Sequence, residues 1–267
     1  MSQRSAPPPD LLTHLAAESA RFLQVLSTAP PGAPVPTCPG WTADDLLWHL
    51  GEVQWFWGTI VRDGLTGQQA EQRKPARPAG RAALADFYRE SSRGLAAALA
   101  AAAPDQAAWT WSHDHTVGFV RRRQAHEALI HRIDAEVTAG SRTGMDPALS
   151  ADGVDEALRV MFAGLPGWAT FTPEPDQTLR MTTTDTSDSW LVVLGTMTGT
   201  DGGTSYHEPC IAVADTDPGA ETAATISGAA QDLDCWLWGR PPTGQVTQTG
   251  DPGVLDGFGA VVADGIQ

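Results

Sequence analysis

The sequence predicts a protein in two parts, an N-terminal four-helix bundle and a smaller C-terminal domain of the α+β class. Up to about residue 138, apolar residues recur at the three- and four-residue spacing of helices. From about Gly140 the pattern changes to short β-branched runs typical of strands. A chain of 267 residues is also long enough for two domains. We therefore expect a bundle over residues 1–145 and an α+β domain over residues 146–267, an α + α/β fold class overall.

Composition and charge narrow the class of protein. Hydrophobic residues make up 42% of the chain and charged residues 18%, as in folded domains. The net charge of −15 argues against nucleic acid and anionic membranes as partners, because binding to either needs a basic surface. No apolar run could span a bilayer, and Met1 to Pro9 lacks the apolar segment of a signal peptide. Three scattered cysteines, Cys38, Cys210 and Cys235, do not form a disulfide framework, so we expect a cytoplasmic protein.

The first two helices have clear boundaries. Residues 10–27 place leucine and phenylalanine at helical spacing, and a Pro-rich loop from Pro30 to Gly40 follows. Thr42, followed by the acidic pair that ends at Asp45, is typical of an N-cap and an acidic first turn. The helix that begins there is predicted to run to about Arg62.

Two more helices complete the predicted bundle. A polar linker over residues 64–80 separates the second helix from an alanine-rich helix over about residues 82–103. Residues 109–115 are expected to form a loop before a fourth helix over about residues 117–138. Four helices of this length joined by loops are typical of a four-helix bundle.

The second half mixes helices and strands. One helix is predicted over residues 152–165, ending at Pro166 and Gly167. The predicted strands lie at residues 178–184, 190–198, 206–214, 221–226 and 245–249, and the remaining helices at residues 229–238 and 254–262.

Three residues of the bundle have the chemistry of a metal site. Glu127 and His131 lie four residues apart on the fourth helix and therefore share one face. His49 borders the apolar stripe of the second helix, and ligands on facing helices of a bundle can converge. Two imidazoles and one carboxylate suit zinc and similar divalent metals and leave a coordination position open.

The residues alone leave other interpretations open. A Glu–His pair at this spacing is also typical of a solvated ion pair, and a lone histidine near an apolar stripe is also typical of a hydrogen-bonded core residue. His126 and His131 are five apart and so point about 140° apart around a helix, which is not the zinc-protease signature. His113-Asp-His115 has suitable residue types but lies in a loop. Two roles are open for Asp134: it could orient the ring of His131, or it could be an ordinary surface residue.

Two segments of the bundle resemble a known family. Cys38-Pro-Gly-Trp-Thr-Ala-Asp-Asp-Leu-Leu-Trp-His49 and Arg122-Arg-Gln-Ala-His-Glu127-Ala-Leu-Ile-His131-Arg-Ile-Asp-Ala135 are similar to motifs of the mycothiol-dependent maleylpyruvate isomerases. The C-terminal half resembles the same family through Ala151-Asp-Gly-Val-Asp-Glu156 and Ile226-Ser-Gly-Ala-Ala-Gln-Asp-Leu-Asp-Cys-Trp-Leu-Trp-Gly-Arg240. The resemblance implies a DinB-like metal-binding bundle followed by a sterol-carrier-like α+β domain.

The resemblance also implies a reaction. His49, Glu127 and His131 match the positions that bind a divalent metal in the family, usually taken as zinc, and mycothiol is the thiol cosubstrate. A metal-bound thiolate would then attack a small electrophile, with cis–trans isomerisation of a maleyl-type diacid as the family reaction. Arg240 matches an arginine that faces the cleft in the family and is the candidate carboxylate anchor.

Several roles stay open at this stage. Arg240 could instead complement the end of its helix, and Arg81 and Arg123 are alternative anchors. Cys38, in a tight loop before the second helix, is expected to be structural. Three functions remain: a mycothiol-dependent isomerase, a mycothiol S-transferase of detoxification or secondary metabolism, and a non-catalytic binding module. The sequence does not predict an oligomeric state.

Overall fold

The computed structural model describes residues 9–214 and 220–265, which fall into two compact units. One unit consists of residues 10–144, and the other consists of Pro9 and the described residues from 145 onward. Residues 1–8, where the sequence predicts no signal peptide, lie outside the described part of the chain. Among the described helices, none combines the length and apolar character needed to cross a bilayer.

The first unit is the predicted four-helix bundle. Its long helices are α1 (Leu11–Leu26), α2 (Ala43–Asp63), α4 (Arg81–Ala101) and α5 (Val117–Ala139), with a short α3 (Gly67–Glu71) between the second and third of them. α2 packs on α4, α1 packs on α5, and α2 also contacts α5. The last of these contacts brings the two helices with the candidate ligands together.

The linker between the second and third long helices differs from the prediction. Residues 64–80 were expected to lack regular structure, yet they contain α3. Thr66 accepts a hydrogen bond from the backbone N–H of Gln69, whose side chain accepts one from the backbone N–H of Thr66. This capping box is a local signal strong enough to start a helical turn inside a polar segment.

One cluster of the bundle core consists mainly of apolar side chains. Phe22, Leu26, Leu46 and Leu50 are fully buried in one cluster. Tyr88 joins them and donates a hydrogen bond of 2.9 Å from its hydroxyl to the carbonyl oxygen of Ser19. The polar group of this large side chain is thus satisfied inside the core, as buried hydroxyls require.

The second unit is the predicted α+β domain. Its helices are α6 (Pro147–Glu156), continued by a π-helical turn (Ala157–Phe162), then α7 (Ala230–Leu237) and α8 (Pro252–Asp264). Its strands are β1 (Ala169–Thr183), β2 (Ser189–Asp201), β3 (Thr204–Ala214), β4 (Ala224–Gly228) and β5 (Thr247–Gly250). They form one sheet in the order β3-β2-β1-β4-β5, antiparallel except for the parallel pair β1–β4. The predicted fold class is confirmed.

Two elements of this unit begin well before their predicted first residues. α6 begins at Pro147 rather than at residue 152, because Asp146 caps it and proline suits the first helical position. β1 begins at Ala169 rather than at residue 178. Its first part contains prolines, which weaken the strand pattern, and a register shift between Pro173 and Thr178 accommodates them.

Candidate metal centre

His49 lies on a helix with a strong start. Thr42 accepts a hydrogen bond from the backbone N–H of Asp45, and the Asp45 carboxylate accepts one of 2.8 Å from the backbone N–H of Thr42. This capping box holds the first turn of α2. His49 follows two turns later, and its side chain is 29% exposed, so it is open to solvent while its neighbour Leu50 is fully buried.

Glu127 and His131 lie on one face of α5. Thr116 caps the start of this helix, and Gly140, with a φ of +63°, ends it. The four-residue spacing brings the Nε2 atom of His131 within 3.1 Å of the Oε1 atom of Glu127. The helical prediction for this pair therefore matches the structure.

The three side chains meet at one carboxylate oxygen. The Nε2 atom of His49 lies 3.3 Å from the same Glu127 Oε1 atom, and the two imidazole rings are 4.8 Å apart. One donor atom from each of His49, Glu127 and His131 lies within 4.8 Å of the other two. Two helices distant in sequence thus bring two imidazole nitrogens and one carboxylate oxygen together.

A second layer of contacts holds these groups in place. The Nδ1 atom of His131 lies 2.8 Å from the Oδ2 atom of Asp134, whose side chain is fully buried. Arg123 donates a hydrogen bond of 3.1 Å from Nη2 to the other Glu127 oxygen, Oε2. A carboxylate on Nδ1 fixes the orientation of the ring and leaves Nε2 directed at the cluster.

Charges in the cluster shift the pKa values of Glu127 and His131 in opposite directions. Burial opposes ionisation of Glu127, but the charge of His131, its hydrogen bonds with His131 and His49, and the charge of Arg123 hold the Glu127 pKa well below its usual range. Burial also opposes protonation of His131, but the charge of Glu127 and hydrogen bonds to Asp134 and Glu127 raise its pKa to about 9. Without a metal, Glu127 is therefore a carboxylate beside a protonated His131, and a metal cation would bind in place of the His131 proton.

The donor set fits a divalent metal. Imidazole nitrogens and a carboxylate oxygen are ligands that zinc prefers, and three protein ligands leave room for a fourth from solvent or substrate. Asp134 gives His131 the outer partner that metal-bound histidines regularly have. The role of His49, Glu127 and His131 as metal ligands stays a prediction, and their convergence is its structural support.

Trp41 is part of the centre, although the sequence did not draw attention to it. Its ring lies 4.7 Å from the ring of His49 and 6.3 Å from the ring of His131. Two later tryptophans of α2 make other contacts: Trp48 packs against Phe87, and Trp57 is buried against Trp109. The available signal was the position of Trp41 in the motif that contains His49.

The other histidines considered from the sequence lie outside the three-residue cluster. His126 is buried at a different angle around α5, as its five-residue distance from His131 requires. In the loop before α5, His115 contacts the hydroxyl of Thr110 through Nδ1 at 3.2 Å. Within the described residues, neither belongs to a group that could hold a metal.

The candidate carboxylate anchors have their own contacts. Arg240 lies in the second unit just after α7, where its Nη1 donates a hydrogen bond of 2.6 Å to the carbonyl oxygen of Trp238. It also lines a cleft of about 730 Å³ together with Trp236 and Val262. Arg81 pairs with Asp44 of α2, and Arg123 with Glu127. The role of Arg240 as an anchor stays a prediction.

The fold and the centre define a class of protein, one with a helical bundle that carries a candidate metal centre and is followed by a mixed-sheet domain. Residues 12–136 match the model described as the mycothiol maleylpyruvate isomerase N-terminal domain, and residues 148–257 match that of the MDMPI C-terminal domain. Since these models span most of the chain, the protein belongs to the mycothiol-dependent maleylpyruvate isomerase family, and the resemblance read from its motifs is confirmed.

Solved structures show the same fold. Crystal structures of the mycothiol-dependent maleylpyruvate isomerase and of a histidine-to-alanine mutant of it each match with a TM-score of 0.57 and 13% identity. Each match covers 94% of this chain and 97% of that chain. A comparison with curated proteins gives no match.

Proposed function

We propose that this protein is a mycothiol-dependent metalloenzyme that isomerises a maleyl-type diacid from cis to trans. The observation that carries the proposal is the meeting of His49 Nε2 and His131 Nε2 at one oxygen of Glu127. Membership of the family supplies the thiol and the substrate class. His49, Glu127 and His131 would hold the divalent cation, with zinc as the expected metal.

The residues of the centre have distinct tasks. A divalent cation bound there supplies the positive charge that keeps a thiol in its thiolate form near neutral pH. Glu127 stays ionised, and Asp134 holds the ring of His131. Trp41 covers one side of both histidines, so that part of the wall is apolar.

The reaction needs only addition and elimination at carbon. The thiolate adds to the conjugated cis double bond, a carbon–sulfur bond forms, and the electron pair moves onto the adjacent carbonyl as an enolate. Rotation about the new single bond and expulsion of the thiolate give the trans product. We propose that Arg240 binds a substrate carboxylate, because the planar guanidinium binds carboxylate through two parallel hydrogen bonds.

A mycothiol S-transferase is the second candidate. It is favoured by the aromatic wall at the centre and by Arg123, which pairs with Glu127 at 3.1 Å and so has its charge engaged there. A transferase with a neutral electrophile would need fewer cationic anchors than a diacid isomerase. Both reactions use an intracellular reduced thiol, and the three free cysteines suit the reducing cytoplasm.

Elemental analysis of the purified protein tests the metal first. We expect about one divalent metal per chain in the wild type and its loss in His49→Ala, Glu127→Ala and His131→Ala. His115→Ala serves as a control that keeps the metal. A folded wild-type protein that binds no metal after incubation with zinc would refute the proposal of a metalloenzyme. The non-catalytic binding module would then be the remaining hypothesis.

The reaction is tested on the metal-loaded protein. Mycothiol with maleylpyruvate should give the trans isomer, detected by proton NMR, and the three ligand variants should give none. If mycothiol is instead consumed by a neutral electrophile while the diacid is unchanged, the transferase is correct.

A further inference from the structure

The loop before α2 presents two side chains to the candidate centre. Cys38, Pro39, Gly40 and Trp41 form a tight turn in which the backbone N–H of Trp41 donates a hydrogen bond of 3.0 Å to the carbonyl oxygen of Cys38. Proline at the second position and glycine with a φ of +86° at the third are the residues that a type II turn requires. The backbone N–H of Cys38 also donates to Val35 at 3.1 Å, so the turn is anchored at its start.

This turn brings the thiol of Cys38 to the carboxylate behind His131. Cys38 Sγ lies 3.5 Å from Asp134 Oδ2, and the same oxygen lies 2.8 Å from His131 Nδ1. The Asp134 side chain is fully buried, and a buried carboxylate needs hydrogen-bond donors to compensate for the loss of water. The thiol and the imidazole N–H are two such donors on one oxygen.

We propose that Cys38 is a positioning residue of the metal centre and acts through Asp134. Its S–H donates to Asp134 and holds the carboxylate against His131 Nδ1, which keeps His131 Nε2 directed at Glu127. Without the thiol, Asp134 loses a donor and is freer to turn away from the imidazole. The inference rests on the proposed metal site and extends it to the turn that precedes α2.

Metal affinity of the full-length protein tests this inference without any assay of activity. The dissociation constant for zinc is measured by competition with a chromophoric chelator. We expect Asp134→Asn to weaken zinc binding roughly 10- to 100-fold, the usual effect of losing the outer partner of a histidine ligand. Cys38→Ala should weaken it by about tenfold, at the low end of that range. Cys38→Ser should restore most of the affinity, because a hydroxyl can donate to Asp134 in place of the thiol.

A double variant shows whether Cys38 acts through Asp134. Cys38→Ala combined with Asp134→Asn should bind zinc no more weakly than Asp134→Asn alone, whereas independent effects would multiply. Cys210→Ala removes a thiol of the second unit and should leave the affinity unchanged. Cys38→Val fills more of the space without a donor and replaces Cys38→Ala if the latter does not fold.

Three outcomes would overturn the inference. Unchanged affinity in Cys38→Ala would show that the thiol is only a packing group, and multiplied losses in the double variant would show that it does not act through Asp134. Cys38, His131 and Asp134 also form a group that could hold a metal themselves. A sulfur-to-metal charge-transfer band in the cobalt-loaded wild type would place Cys38 on the metal. A wild type that binds no zinc would refute the proposed function itself, a result distinct from the other three.

Discussion

Three acidic side chains of α5 organise polar contacts inside the bundle. Glu127 contacts two histidines, Asp134 contacts His131, and Glu136 binds two arginines. Asp134 and Glu136 are fully buried and Glu127 mostly so, and such charges persist only where partners compensate for lost water. One helix thus carries both the candidate metal chemistry and a structural ion-pair network.

Glu136 gives the bundle a defined response to acid. Burial opposes its ionisation, but the backbone N–H of Thr143, Arg21 and Arg132 outweigh that effect and lower its pKa from 4.5. A lowered pKa contributes stability that is present above pH 4.5 and is lost as the pH falls below it. Glu136→Gln should therefore lower the free energy of unfolding at pH 7 by about 1–3 kcal/mol.

Urea unfolding at several pH values checks this prediction. The difference between wild type and Glu136→Gln should shrink as the pH falls below about 4.5. Glu90→Gln, on the exposed face of α4, is the control and should change stability little at any pH. A difference that stays constant down to pH 3 would contradict the assigned role of the Glu136 charge.

At the scale of elements, α2 and α4 approach closely at a glycine. A Cβ atom on Gly58 of α2 would meet the backbone of Leu95 in α4 at 3.1 Å, whereas one on Gly94 of α4 would meet nothing within 4 Å. Gly58→Leu should therefore destabilise the protein by about 1–3 kcal/mol through overpacking. Gly94→Ala should stabilise it by about 0.5–1 kcal/mol, because alanine favours the helix.

Thermal unfolding of the two glycine variants checks the packing of α2 on α4. The two substitutions lie in the middle of helices and differ in what the new side chain meets. A stabilising Gly58→Leu would contradict the close approach of Gly58 to the backbone of Leu95.

The capping box at the start of α2 can be tested by substitution of Thr42. Thr42→Ala removes the capping box and should lower the free energy of unfolding by about 1 kcal/mol, while Thr42→Ser should keep it. Thr66→Ala removes the same motif from the five-residue α3. It should lower the free energy of unfolding by less, because this capping box supports a single helical turn. Equal losses in both variants would contradict a special role of this cap in holding the long helix.

At the scale of the whole molecule, the candidate ligands and the candidate anchor belong to different units. His49, Glu127 and His131 lie in the unit over residues 10–144, and Arg240 lies in the other. Arg240→Ala should therefore leave the metal content unchanged and raise KM for a diacid substrate about 10- to 100-fold, as expected for loss of a charged hydrogen bond of roughly 1.5–3 kcal/mol.

Steady-state kinetics of the metal-loaded enzyme check the role of Arg240. Arg240→Lys should recover only part of the loss, because an ammonium cannot form the two parallel hydrogen bonds of a guanidinium. Unchanged kinetics in Arg240→Ala would show that Arg240 does not bind substrate. Its role would then be the contact with the carbonyl oxygen of Trp238 at the end of α7.

Local patterns in the amino-acid sequence predicted most of the helices and the three residues of the candidate centre. Helical spacing and caps such as Thr42 act within a few residues, so they can be read without knowing the fold. The four-residue distance from Glu127 to His131 likewise defines one face of a helix before any packing is known. His49 was the candidate for the third residue because it borders the apolar stripe of α2, and the resemblance to the family then supported it.

Contacts between atoms of distant segments could not be predicted from the sequence. The shared Glu127 oxygen, the ring of Trp41 beside both histidines and the contact of Cys38 with Asp134 join residues far apart in sequence. The parallel pairing of β1 with β4 and the Pro-containing start of β1 depend on partner strands in the same way. Such contacts arise from packing between distant segments, and local spacing carries no information about which segments become neighbours.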